Sequence, residues 1–409
     1  MLDLLREKKF RLLWLGQLCS QFGDRLTQLV LVGLAASRAS GSTFTLAKVM
    51  VMTSLPALLV GPFAGAYVDR WDRKQTMIVC DLIRVAAIAA LPWLALAPSR
   101  IPWYLDIFLL FAVASFFVPA RLAMIPDLVP PERLAKANAL FTTSGMIGSA
   151  VILLVGALLI EWVGVNRSCW VDAAAYAASA ALIAPIARRA VRASGAAEES
   201  AGRILAEIWE GIRELWLHQD TRRVVGLLGL LVGGAGSSMV IGTVLVQSTL
   251  KSVTRDLGFL SLWFGVGLFL GTVAHGRWGT SWSKRRVLGT AFLGCALSVW
   301  LFLAAVLTLK SGVAASFSTA LLGFFVAPVG IVTNTLVHEA HPERLHGRIF
   351  SSLGVVINLA WIGSMLSAGW LADRWNRGFL LCAIGAAFVL GGMTLLCYTK
   401  TEVEKEILP

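Results

Sequence analysis

Gly65-Ala66-Tyr67-Val68-Asp69-Arg70-Trp71-Asp72-Arg73-Lys74 decides how this chain is read. The stretch lies between two apolar runs. It joins a glycine suited to close packing, the carboxylate of Asp69 and a cationic cluster. An ordinary basic loop at a membrane surface accounts for Arg70, Arg73 and Lys74. It accounts for neither Gly65 nor Asp69.

Around that loop the chain has the composition of an integral membrane protein. Apolar residues make up 57% of the 409 positions and charged residues 15%, and the mean hydropathy is +0.74. A spanning helix needs ~20 apolar residues. Stretches of that kind are expected near 11–37, 45–68, 75–97, 103–120, 138–160, 169–187, 223–248, 258–276, 287–309, 313–335, 350–371 and 379–399. The N-terminal region runs straight into a full-length span with no small-residue cleavage site, so no cleavable signal is expected.

The net charge of +12 follows loop parity. Loops on one side (1–11, 69–74, 121–136, 188–223, 277–286, 344–348 and 400–405) hold 25 of the 36 Lys and Arg, and the other side holds nine. The bias places both termini in the cytoplasm and removes the need for a nucleic-acid partner. The six cysteines are scattered without metal spacing, and in a span a free Cys behaves as a small apolar residue.

An internal repeat sets the architecture. Phe116-Phe117-Val118 returns as Phe324-Phe325-Val326, Pro131-Glu132-Arg133-Leu134 as Pro342-Glu343-Arg344-Leu345, and Phe141 with Gly145 as Phe350 with Gly354, each about half the chain later. The expected fold is an all-α membrane protein with twelve transmembrane helices in two pseudo-symmetric six-helix bundles, 1–187 and 223–409. A linker at 188–222 joins them. Within the linker Ile204, Leu205, Ile208, Trp209, Ile212, Leu215 and Trp216 recur at helical spacing opposite Arg203, Glu207, Glu210, Arg213 and Glu214. That pattern is an amphipathic helix in the cytoplasmic interface, with a partner-binding helix or a packed lid as alternatives. The opening loop has a worn second copy in Gly276, Trp282, Lys284 and Arg285, where Thr280 replaces Asp69.

Chemistry is expected first at Asp24. It falls midway along the first span, where an ionised carboxylate costs ~2.5–3.5 kcal/mol. Gln17, Gln21, Asp24 and Gln28 share one helical face, with Ser20 and Thr27 beside it. A polar stripe on a membrane helix avoids lipid, so it is expected to line a cavity with Asp24 as a proton acceptor. The competing reading is a structural carboxylate paired with an arginine or tethering a helix break at Gly23. The second half offers little charge: Gln247 in the seventh span and Asn358 and Trp361 in the eleventh are its candidate site residues, Trp361 serving equally well as packing. One carboxylate among amides and apolar walls suits an amphipathic or cationic substrate. Asp81, Arg84, Arg121 and Asp127 are expected to join Asp69, Arg70 and Arg73 in one cytoplasmic charge network. His338 and His341 could be read as a metal pair, but their loop has no nearby Cys or paired carboxylates, so no metal site is expected there, and no nucleotide-binding G-x-x-x-x-G-K-[ST] pattern is present. Neither cofactor nor metal is expected, nor enzymatic chemistry.

The opening loop resembles the G-x-x-x-D-R-x-x-R-K signature between the second and third helices of major facilitator superfamily transporters. With Trp14-Leu15-Gly16-Gln17, Ser20, Gly23-Asp24, Gly61-Pro62, Asp81-Leu82-Ile83-Arg84 and Val118-Pro119-Ala120-Arg121, the chain resembles the bacterial macrolide and multidrug efflux branch over nearly its full length. The resemblance implies a substrate site near the bilayer midplane between the halves. It also gives a gating role to Gly65, Asp69, Arg70, Arg73 and Lys74, the aspartate meeting the positive N-terminus of the eleventh span near Phe350–Leu353. It implies a monomeric secondary transporter of the bacterial inner membrane that exports lipophilic or amphipathic molecules by alternating access; proton coupling is expected from the embedded Asp24 itself and not from the resemblance. Two patterns of proton antiporters are absent: the arginine-bearing R-x-x-Q-G of helix 4, and the Gly-Pro that Val151 and Ile152 replace ahead of Gly156. Lysophospholipid transporters share the Ser-x-x-Gly-Asp element and the missing Gly-Pro, so lipid translocation stands as the alternative.

Overall fold

The computed structural model describes residues 2–38, 41–68, 70–187, 201–217, 219–251, 254–340 and 346–397. Those residues form helices joined by short turns, with no strand among them. Seven helices precede the linker: α1 (Lys8–Arg38), α2 (Thr43–Leu59), α3 (Gly61–Val68), α4 (Arg73–Leu96), α5 (Ile101–Leu128), α6 (Leu134–Val163) and α7 (Val165–Ile183). The linker carries α8 (Ala201–Leu217). Six more follow: α9 (Gln219–Leu250), α10 (Arg255–Trp278), α11 (Lys284–Leu307), α12 (Gly312–Ala340), α13 (His346–Ala372) and α14 (Arg377–Cys397).

Each expected span coincides with a helix, except that the second is broken. Pro62 has no amide to give to residue 58 and its ring crowds the preceding turn, so α2 ends at Leu59 and α3 begins at Gly61. Nine of the described helices are long and apolar enough to cross a membrane. The spans expected at α1, α2 with α3, and α7 fall outside that count. The embedded Asp24 and Arg25 dilute α1, and Asp172 and Arg167 dilute the 19-residue α7.

The helices form two compact units: residues 1–40, 49–204 and 253–258, and residues 41–48, 205–252 and 259–409. The division departs from a simple cut at the linker, because the first turns of α2 and α10 each cluster with the other half of the sequence. In the second unit Asp373 accepts hydrogen bonds from Ser42 Oγ (2.8 Å), Thr43 N (2.6 Å) and Phe44 N (3.2 Å), satisfying the open amides at the start of α2. In the first, Thr254 Oγ1 donates to Ala157 O (3.2 Å) and Arg255 pairs with Glu161 (3.7 Å). A Cβ added to Gly258 would stand 2.5 Å from Ala157, and one added to Gly369 2.6 Å from Ala47. Small residues thus make both of these crossings close.

In the first unit α1 packs against α7, α6 and α4, and α4 against α5 and α7. Gly16 and Gly23 admit the close approach of α7: a Cβ would meet Ile183 at 3.0 Å and the Tyr176 ring at 2.7 Å. Gly164, at φ +86°, makes the one-residue turn between α6 and α7. In the second unit α9 packs on α13 and α14, and α11 on α12 and α14. Outer surfaces are apolar, as at Leu96 and Val313, because lipid solvates such side chains as well as a core does. On α8, Leu215 is buried with Val225, Leu228, Val337, Ile349 and Leu353, whereas Trp209 and Trp216 are exposed.

Candidate functional site

The polar centre of the first unit is built around Arg84, one turn beyond Cys80 on α4. Its side chain is 1% exposed, as against 0% for Asp81 and 40% for Asp24. Nη1 donates to Asp24 Oδ1 at 3.0 Å and to Ser20 Oγ at 3.2 Å, and Nη2 lies 3.3 Å from Asp81 Oδ1. The guanidinium also rests between the rings of Phe117 (4.7 Å) and Tyr176 (4.9 Å). From α7, Tyr176 OH donates to Asp24 Oδ1 at 3.0 Å, and Asp172 Oδ2 lies 2.6 Å from Thr27 Oγ1. Thr27 and Tyr176 are themselves 3.2 Å apart. A Cβ at Gly23 would stand 3.0 Å from Asp172 Oδ1, so that glycine makes the room this cluster occupies.

Chemically the cluster sets the sealed Arg84 against Asp24 and Asp81, while the Tyr176 and Thr27 hydroxyls link Asp24 to Asp172. Only Asp24 is substantially open. Asp81 and Asp172 are sealed, and a sealed ionised group is tolerated only when paired and hydrogen-bonded.

The stripe on α1 divides between neighbours. Asp24 turns to α4 and α7. Gln21 Nε2 instead donates to Gly145 O (2.6 Å) and Ser149 Oγ (2.8 Å) of α6. Gln28 Oε1 accepts from Arg25 Nη1 at 3.1 Å, and Arg25 also reaches Ser149. Gln17 is buried at 4% exposure. Shared spacing on a helix thus does not give a shared environment, because α1 is flanked on three sides.

The single charge network expected on the cytoplasmic side separates into two. Arg73 Nη1 pairs with Asp127 Oδ2 at 2.7 Å and donates to Ala123 O at 2.8 Å. Asp81 and Arg84 belong instead to the buried cluster, since their positions on α4 face α1 and α7. Arg121 lies over the Phe141 ring at 5.7 Å. Gly65 meets no described atom within 4 Å of an added Cβ, so no close packing against it is seen among the described residues. Asp72 has a role the sequence reading passed over: its side chain accepts from Gln75 N at 2.9 Å and caps α4. Trp71 stacks between Tyr67 and Phe116; Arg70 and Lys74 flank these residues in the sequence. Asp69, His341 and the linker stretch 188–200 lie outside the described residues, as does the side chain of Thr280.

In the second unit Asn358 Nδ2 donates within its own helix to Gly354 O at 2.9 Å. Trp361 packs against Gly236, where an added Cβ would be 3.2 Å from the ring. Gln247 is half-buried near the end of α9.

Asp172 and Tyr176 were missed at the sequence level. The signal was available: Asp172 is an acidic residue inside an expected span, at i−4 from the tyrosine, and embedded ionisable residues are functional candidates by default.

The profile of the Major Facilitator Superfamily matches residues 13–365. The multidrug efflux pump Tap of Mycolicibacterium fortuitum is 26% identical over 368 residues, covering 87% of each chain. Macrolide efflux protein A of Streptococcus pyogenes is 26% identical over 400 residues, 95% of this chain and 94% of that one. Among solved structures, nucleoside transporter NupG superposes with a TM-score of 0.75 at 14% identity over 95% of this chain and 98% of its own. A bacterial homologue of the iron transporter ferroportin gives 0.72 at 16% over 96% and 98%. The helical architecture, the loop signature and the profile match agree: this chain belongs to the major facilitator superfamily and is a membrane transporter.

Proposed function

We infer that this protein is a secondary active exporter of lipophilic or amphipathic small molecules in the bacterial inner membrane, coupled to protons through Asp24. The observation that carries the reading is the Asp24 carboxylate, 40% exposed while its Oδ1 is held by a sealed arginine. A carboxylate in that position can exchange one positive partner for another. A proton or a cationic substrate arriving at the open side competes with Arg84, so loading one weakens the hold on the other. Reciprocal binding of this kind is the thermodynamic basis of antiport. Full-length similarity to two efflux proteins supports a drug-like substrate. The sparse polarity of α9 and α13 suits apolar cargo.

The test is transport in one proteoliposome preparation of a lipophilic cationic dye and of labelled lysophosphatidylethanolamine. Dye efflux driven by a pH gradient, abolished in Asp24→Asn, is the expected result. Full gradient-driven efflux by Asp24→Asn refutes the coupling role. Robust lysolipid movement without dye efflux replaces the drug reading with lipid translocation.

A further inference from the structure

Asp24, Tyr176, Thr27 and Asp172 form three oxygen–oxygen contacts in series, at 3.0, 3.2 and 2.6 Å. Each such contact needs one hydrogen. The two hydroxyls bring one apiece, and an ionised carboxylate brings none. If both carboxylates are ionised, Tyr176 donates to Asp24 and Thr27 to Asp172. Two hydroxyl oxygens then face each other at 3.2 Å, buried, with nothing between them. One additional proton completes the series.

Its place follows from the neighbours. Asp24 carries the Arg84 guanidinium at 3.0 Å. Asp172 is 0% exposed, has no cation within ion-pair distance among the described residues, and its Oδ1 has no hydrogen-bond partner. Every element packed on α7 bears this out. From α1 the like charge of Asp24 acts on it, and from α4 the attracting charge of Arg84, which is already engaged with Asp24 and Asp81. The ionisable residues of α6 are Lys136 in its first turn and Glu161, which pairs with Arg255. Its own helix adds Tyr176, Cys169 and the exposed Arg167.

We propose that Asp172 is a proton-storage site, wired through Thr27 and Tyr176 to Asp24, which is the port by which that proton enters and leaves. This deepens the proton-coupled reading above and rests on it for its role in transport. With the proton on Asp172 every bond runs one way: Asp172 to Thr27, Thr27 to Tyr176, Tyr176 to Asp24. Transfer moves the Asp172 proton to Thr27 Oγ1, the Thr27 proton to Tyr176 OH, and the Tyr176 proton to Asp24 Oδ1. Both hydroxyls end neutral, Asp172 becomes the anion and Asp24 the acid, and each bond reverses. Arg84 sets the resting direction, because its contact with Asp24 favours the charge there. Weakening that contact draws the proton outward to Asp24.

Infrared spectroscopy of the purified full-length protein reads the stored proton directly, without transport. The difference spectrum of wild type minus Asp172→Asn should contain the carbonyl band of a neutral carboxylic acid, shifted in D2O. Wild type minus Asp24→Asn should lack it. Tyr176→Phe removes one oxygen; it should keep the band but delay its D2O shift relative to wild type. An Asp172→Asn difference spectrum without an acid band overturns the storage site, and unchanged exchange in Tyr176→Phe overturns the wire. Gradient-driven dye efflux is measured beside these spectra. A wild type that shows the band but no such efflux upholds the stored proton and retires the coupling reading alone.

Discussion

Replacing Arg84 by methionine is the sharpest test of how the first unit is held together. Methionine keeps the length and apolar bulk of the stem and removes the cation. Asp24 loses one partner but keeps Tyr176 and its open side. Asp81 is the carboxylate that suffers: it is 0% exposed, and without Arg84 it keeps only neutral hydroxyls, Ser20 at 3.4 Å and Ser179, among the described residues. Removing one member of a buried ion pair costs about 3–5 kcal/mol, since the remaining charge is left without compensation. Lost contacts with the Phe117 and Tyr176 faces lie inside that range rather than adding to it. Arg84→Met should therefore unfold far more readily than wild type in thermal denaturation of the detergent-solubilised protein. Adding Asp81→Asn should recover about 1–3 kcal/mol, the coupling expected of residues in direct contact. The Arg73–Asp127 pair, about a third exposed on each side, is the internal comparison; Asp127→Asn should cost at most about 1 kcal/mol. If Arg84→Met costs no more than Asp127→Asn, or the double variant is no better than the single, the cluster is not held by charge pairing.

Other outcomes follow from particular contacts. A Cβ at Gly271 would lie 2.2 Å from Phe324 O, so Gly271→Ala should force α10 and α12 apart and cost about 1–3 kcal/mol in the same assay. Gly276→Ala, with no described atom within 4 Å, should be neutral or stabilising. Asp373→Ala leaves the first amides of α2 unsatisfied and should cost about 0.5–2 kcal/mol, with faster amide exchange confined to residues 43–44 as its signature. In the signature loop, Asp69→Asn should shift spin-label distances across the cytoplasmic face and a change at Thr280 should not; equal shifts would refute that asymmetry.

The family and its helices were legible from composition, span length and the loop signature, because bilayer thickness and backbone hydrogen bonding leave few alternatives. The embedded Asp24 was legible for the same reason: a carboxylate in a span is expensive enough to stand out of the sequence. Its partner was not. Asp81 and Arg84 had been grouped with the loop charges on chain proximity, and Asp172 and Tyr176 were passed over. A period of 3.6 fixes which residues share a helical face but not which neighbouring helix that face meets. Gly16 and Gly23 bring α7 against α1, and the register of α4 aims Arg84 between them. That register is a product of packing between segments 60 and 152 residues apart, as in Asp24–Arg84 and Asp24–Tyr176. Local pattern therefore determined that a charge would be embedded in the first half; only tertiary packing decided that Asp24 and Asp81 would share one arginine and that Asp172 would join them through two hydroxyls.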